Sequence, residues 1–213
     1  ALAIDKTPVE AAVAPRPMRW TLAGLSPALR RYLLALAVFT LGNASNMFLL
    51  LRAQDLGTSA ERIMLMWALF SGTAALLSTP LSALSDRFGR VRVLGTAWSA
   101  YAVVYLVLGL LPGAGWALWL SFAIYGAVMA ALEGTERALV ADLVQQGQAG
   151  TAFGWYNLVS GLMLLPASWL FGTLWQMGSP LLAFTFGAAC AAAAALLLFK
   201  GVHEPENDSH EAQ

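Results

Sequence analysis

One acidic and three basic side chains crowd into the segment Leu84-Ser85-Asp86-Arg87-Phe88-Gly89-Arg90-Val91-Arg92. The chemistry open to such a cluster is electrostatic. Gly89 can take the left-handed backbone that a tight turn needs, and Asp86 can face a helix N-terminus, whose partial positive charge favours a carboxylate. A second group, Glu133, Glu136, Arg137 and Asp142, supplies counter-charges, so Asp86, Arg87 and Arg90 are expected to form an ion-pair cluster with Glu136 or Asp142. Glu133 and Arg137 stand four apart, the spacing of a pair on one helix face. Polar uncharged residues make a third group: Asn43, Asn46, Tyr125, Asn157 and Ser160, with Met129 and Met163 nearby in apolar sequence. Covalent catalysis lacks its parts. The only histidines, His203 and His210, lie near the C-terminal end, and Cys190 is the single thiol, so a Ser/His pair, a disulfide framework and a thiolate metal cluster are all excluded. An enzyme is not expected, nor is a cofactor or a metal site.

The elements that must position these residues are membrane spans. The chain is 59% hydrophobic and 11% charged, against roughly 45–50% and about 25% in an average soluble domain. Residues 32–51, 63–85, 93–132 and 143–199 carry no charge, and a span needs roughly 20 mainly apolar residues. Turn residues at Pro112-Gly113-Ala114-Gly115 and Gly178-Ser179-Pro180 divide the two longest stretches. Six helices result, at about 32–51, 63–84, 91–111, 116–136, 151–175 and 180–199, in an all-α membrane domain over 26–200. Residues 1–25, with Pro8, Pro15 and Pro17, read as a linker or arm, and 201–213 as a polar tail. Ser26-Pro27 and Ser179-Pro180 each supply an N-cap oxygen and a proline at the first helical position. Thr58 and Glu61 have the spacing of a capping box. Pro166 falls inside span five.

Net charge is zero, so no general field attracts nucleic acid. Its distribution is uneven, however. Ten Lys and Arg residues lie on the side holding the N-terminus, against Arg52 and Arg62 on the other, which makes both termini and the loops after spans two and four cytoplasmic. Trp116, Trp119 and Trp175 then fall at the outer interface. Asn43 and Asn46 lie about 17–21 Å along span one, near mid-membrane. Glu133, about 26 Å from the outer start of span four, is a possible coupling group because an ionisable side chain at lipid depth is functional by default, although pairing with Arg137 gives it a structural role instead. Arg52 can reach water or pair with Asp55.

The charged loop resembles the loop motif of major facilitator superfamily transporters, glycine-x-leucine-small-Asp-Arg-x-Gly-Arg-basic. Leu84, Asp86, Arg87, Gly89 and Arg90 match it, while Ser82 and Val91 replace its glycine and its last basic residue, as in the looser copy of that family's C-terminal half. Residues 41–54 are similar to the family's seventh helix in bacterial members, 133–142 to the end of the tenth, and 150–154 with 165–168 to the eleventh. The resemblance covers about 26–200. It implies the C-terminal six-helix half of a twelve-helix carrier in a bacterial inner membrane, working by alternating access against an N-terminal half, with membrane lipids and a small-molecule substrate as its other partners and no nucleic acid.

In that frame Asn43, Asn46, Tyr125, Met129, Asn157 and Ser160 line a substrate cavity, with interhelical hydrogen bonding or packing as the alternative for each. Asp86, Arg87, Gly89, Arg90, Glu136, Arg137 and Asp142 form a conformational gate. The first, second, fourth and fifth spans face the cavity, and the third and sixth are peripheral. An uncharged, amphipathic half-cavity suits a moderately apolar organic solute, a drug or metabolite for export among them, better than a phosphate or dicarboxylate. A non-transporting scaffold or sensor on the same fold is the alternative.

Overall fold

The computed structural model describes residues 22–145 and 147–202. After a short 3-10 turn at Leu22–Gly24, the chain forms α1 (Pro27–Gly42), α2 (Met47–Asp55), α3 (Ala60–Phe88), α4 (Arg90–Leu110), α5 (Trp116–Leu143), α6 (Ala149–Met177) and α7 (Pro180–Gly201). With α1 and α2 counted as one span, six are long and apolar enough to cross a membrane. Of the linker expected at 1–25 and the tail expected at 201–213, residues 1–21 and 203–213 lie outside the described residues.

The two serine caps form as their sequence predicts: Ser26 Oγ accepts from the Leu29 N–H at 3.2 Å and Ser179 Oγ from the Leu182 N–H at 3.4 Å. The capping box at Thr58 does not. Ser59 is the N-cap residue of α3, one position later, and the Thr58 hydroxyl is buried without a partner. Gly89 has φ 94°, the left-handed region that lets α3 stop and α4 start one residue apart. Pro166 lies inside α6.

A larger departure is in span one, which is two helices rather than one. Residues 43–45 are not helical, and α2 begins after Asn46. Gly42, Asn43, Ser45 and Asn46 are weak helix formers whose polar side chains compete with the backbone ladder. Tertiary packing adds a second cause. Gly42 lies so close to α7 that an added Cβ would sit 2.8 Å from the Gly187 carbonyl oxygen, so α1 ends against a neighbouring backbone. The exposed backbone is satisfied locally: the Asn43 N–H bonds to the Phe39 and Thr40 carbonyls at 2.9 and 3.1 Å.

The helices pack in the order α3, α5, α4, α7, α1, α6, each mainly on its neighbours in that series. This order is symmetric. If spans one to three are exchanged for spans four to six, α3 on α5 becomes α6 on α1, α1 on α7 becomes α5 on α4, and α4 on α7 maps to itself, the pattern of a three-helix inverted repeat. The two ends of the series differ in tightness: α3 lies more closely on α5 than α6 does on α1.

Burial follows this order too. Only 11% of the apolar stretch of α3 and of α6 is buried, against 44–56% in the other four spans. The end members of the series have neighbours on one side only, α3 chiefly on α5 and α6 on α1 and α7, so they present long open faces. The core itself is aromatic: Phe39 stacks on Trp98 at 4.8 Å between centroids, and Tyr101 on Tyr105 at 4.1 Å. Trp116 is exposed, whereas Trp119 and Trp175 are packed against the core.

Candidate functional site

The break in span one holds both asparagines singled out by their position, and each is tied to a tyrosine from another helix. The Tyr101 hydroxyl of α4 donates to Asn43 Oδ1 at 3.1 Å, and the Tyr125 hydroxyl of α5 donates to Asn46 Oδ1 at 2.7 Å. Non-helical backbone at membrane depth is tolerated where it is buried in protein or lines a cavity. Both conditions operate here. Tyr101 and Tyr125 are fully buried, and Asn43 borders a cavity of about 210 Å³ between α1, α5 and α6.

That cavity opens on the looser side of the bundle. Leu36, Phe39, Met129, Leu132 and Leu164 give it an apolar wall, and Thr40, Asn43 and Ser160 add neutral polar atoms. Glu133, Glu136, Arg137 and Tyr156 complete it. The half-cavity is therefore not uncharged, as its sequence suggests: Glu133 and Glu136, both within the expected span 116–136, border it together with Arg137, and α5 runs on to Leu143. Glu136 Oε2 accepts a hydrogen bond from the Tyr156 hydroxyl of α6 at 2.9 Å. Glu133 is exposed and forms no ion pair with Arg137, although the two share a helix face. The carboxylate drawn into the bundle is Glu136.

The loop between α3 and α4 carries a smaller cluster than expected. Arg90 pairs with Asp86 at 3.2 Å, one turn away, and with Asp142 at the end of α5. This joins the α3–α4 corner to α5 across more than fifty residues of sequence. Arg87 is not in the cluster; its guanidinium lies 5.7 Å from the centre of the Phe88 ring. Glu136 is not in it either, because it faces the cavity and Tyr156.

At the opposite end, Arg52 neither pairs with Asp55 nor reaches for water alone. Its guanidinium donates to the carbonyls of Leu108, Gly109 and Leu111 at 3.0, 3.2 and 2.9 Å. These are the last carbonyls of α4, which lack partners within their own helix, and a cation there also meets the negative end of the helix dipole. The Ala114 N–H bonds to the Leu56 carbonyl at 3.2 Å, so α2 is fastened to the end of α4 at Arg52 and its C-cap to the α4–α5 loop at Leu56.

Of the residues expected in one cavity, the structure brings Asn43, Met129 and Ser160 together, places Tyr125 and Asn46 beside them in the hydrogen-bonded break, and leaves Asn157 exposed on the open face of α6. Tyr101 and Tyr156 escape a reading by sequence. Tyr101 belongs to the third span, the peripheral one by resemblance, yet α4 has the most deeply buried apolar stretch of the six. Its signal is the pair Tyr101 and Tyr105, one turn apart in a charge-free span. Tyr156 has a similar signal, one position before Asn157.

Comparison with known proteins gives two findings. The family model described as Major Facilitator Superfamily matches residues 32–213. An uncharacterized MFS-type transporter of Methanocaldococcus jannaschii is 35% identical over 180 residues, which is 82% of this chain and 45% of the relative. The chain thus spans less than half the length of the curated relative it matches.

Proposed function

The chain belongs to the Major Facilitator Superfamily, and on that premise we propose that it forms the C-terminal six-helix half of a secondary transporter. It moves a small organic solute across a cytoplasmic membrane by alternating access. The observation that carries this reading is the broken first span. A discontinuous helix whose asparagines are held by tyrosines from α4 and α5, beside a cavity lined by α1, α5 and α6, is the device by which carriers present polar groups at mid-membrane.

In this mechanism the neutral and charged groups of the cavity bind solute, and the two asparagines hold the joint between α1 and α2. The Arg90 pairs with Asp86 and Asp142 lock the corner of α3 and α4 to α5 on the cytoplasmic side, and the lock parts as the carrier opens inward. Arg52 keeps α2 with α4 at the outer end, so the rocking motion bends the chain at 43–46 and leaves the outer contacts intact. Membrane lipid surrounds the bundle, and an N-terminal half covers the open faces of α3 and α6.

Two measurements check this. When the chain is co-reconstituted with a six-helix N-terminal half, solute flux is saturable, and Asn46→Leu lowers it at least tenfold because Tyr125 loses its acceptor at the joint. Flux that does not respond to Asn46 places the site elsewhere. In a Cys190→Ser background, single cysteines at Ala114 and Phe88 are labelled from opposite faces, Ala114 from outside. Labelling of both from one face overturns the orientation.

A further inference from the structure

We propose that the cavity between α1, α5 and α6 takes a small amphipathic solute bearing a protonated amine, with the ammonium group on Glu136. The inference rests on the transport reading above, since it names the substrate class of the same site.

Charge comes first. Glu133, Glu136 and Arg137 share the cavity, which leaves one negative charge in excess. The ion pairs among the described residues join Arg90 to Asp86 and Asp142 and involve none of the three. Arg137 and Glu133 are exposed, with Arg137 acting on both Tyr156 and Glu136, and Glu136 is part-buried with the Tyr156 hydroxyl as its hydrogen-bond donor. An ionised carboxylate accepts at about four lone-pair sites, so with the Tyr156 hydroxyl as donor and the Arg137 charge nearby but not ion-paired with it, Glu136 keeps acceptor capacity. A part-buried carboxylate in this condition draws a positive charge, because a charge removed from water is costly unless it is paired.

The rest of the wall specifies what carries that charge. Ser160 lines the cavity, and its hydroxyl is buried with no hydrogen-bond partner, a polar atom awaiting a ligand. The ring of Phe39 and the ring of Tyr156 also border the space, and aromatic faces attract cations. Leu36, Met129 and Leu164 accept an apolar body. The volume, about 210 Å³, is below the roughly 300–1,000 Å³ of a pocket for a drug-sized ligand. Among the described residues no group of three or more His, Cys, Asp or Glu side chains stands close enough together to hold a metal ion, which favours an organic cation over a bare metal.

Equilibrium dialysis on the purified chain in nanodiscs at neutral pH tests this with three probes of one shape: 2-phenylethylamine, 2-phenylethanol and 3-phenylpropionate. The amine binds saturably, the alcohol at least tenfold more weakly, and the anion not at all. Glu136→Gln reduces amine affinity at least tenfold and leaves the alcohol unchanged; Asp55→Asn, exposed at the other end of the bundle, alters amine affinity less than threefold. Equal binding of amine and alcohol by the unmodified chain overturns the proposal without any variant, as does absence of amine binding. If Glu136→Gln keeps the amine preference and instead flattens the pH profile of uptake, Glu136 binds a proton and the ammonium assignment fails. Amine binding without flux in the co-reconstituted assembly refutes transport while the site stands, and flux with no preference for cations refutes the site while transport stands.

Discussion

Reconstituted without a partner, the chain gives no saturable flux for any solute. Alternating access needs two bundles that rock about a site between them, and these six spans form one wall. The faces open to a partner on the proposed reading are those of α3 and α6, whose apolar stretches are only 11% buried. Their open faces carry Ser71, Thr79 and Asn157, polar groups that are costly in lipid unless they find partners in protein. Gly72 and Gly161 lie on the same faces with open space around them, and small residues of this kind allow another helix to approach closely. The chain therefore associates through α3 and α6 with an N-terminal half, or with a second copy of itself. Vesicle uptake against a broad solute panel checks the flux, and light scattering on the purified chain in nanodiscs or detergent checks its state. Saturable transport by a monomer would sink both the half-molecule reading and the cavity.

The second large effect is on stability. Gly187→Val unfolds the bundle more readily, by about 2–3 kcal/mol, the upper part of the range for overpacking a filled interior. A Cβ at Gly187 would stand 2.8 Å from the Gly42 carbonyl oxygen and 2.8 Å from Tyr105 Cδ1. The first of these is backbone and cannot rotate away. Tyr105 cannot give way easily either, since it is fully buried and stacked on Tyr101. The helices α1 and α7 must part, and Gly42 is the last residue before the break, so the Asn43 contact with Tyr101 is lost with them. For a chain of this length the thermal midpoint falls by about 5–10 °C. Gly72→Ala and Gly161→Ala are the controls: a Cβ there meets nothing, and alanine gains up to about 1 kcal/mol of helix propensity over glycine. A midpoint unchanged by Gly187→Val means that the contact between α1 and α7 is looser than its geometry.

Much of this protein is legible without its fold. Long charge-free runs decide, by solvation alone, which segments leave water, and so the six spans, the turns at 112–115 and 178–180 and the caps at Ser26 and Ser179 follow from local sequence. So does the turn at Gly89, where only glycine takes the left-handed backbone at low cost. The loop motif around Asp86 carries the family resemblance by the same local means. What the sequence leaves open concerns contacts between distant segments. The run 32–51 reads as one helix, because the pressure that ends α1 at Gly42 comes from Gly187, and the groups that hold the break come from Tyr101 and Tyr125. Arg52 looks like a partner for nearby Asp55 until α4 ends beside it with three free carbonyls. Glu133 and Glu136 are indistinguishable by composition and spacing; both border the cavity, and only the docking of α6, which brings Tyr156 against α5, leaves one an exposed charge and makes the other a part-buried, hydrogen-bonded one. Partition into the membrane depends on a segment's own side chains, but the role of a polar group inside it depends on which helix faces it.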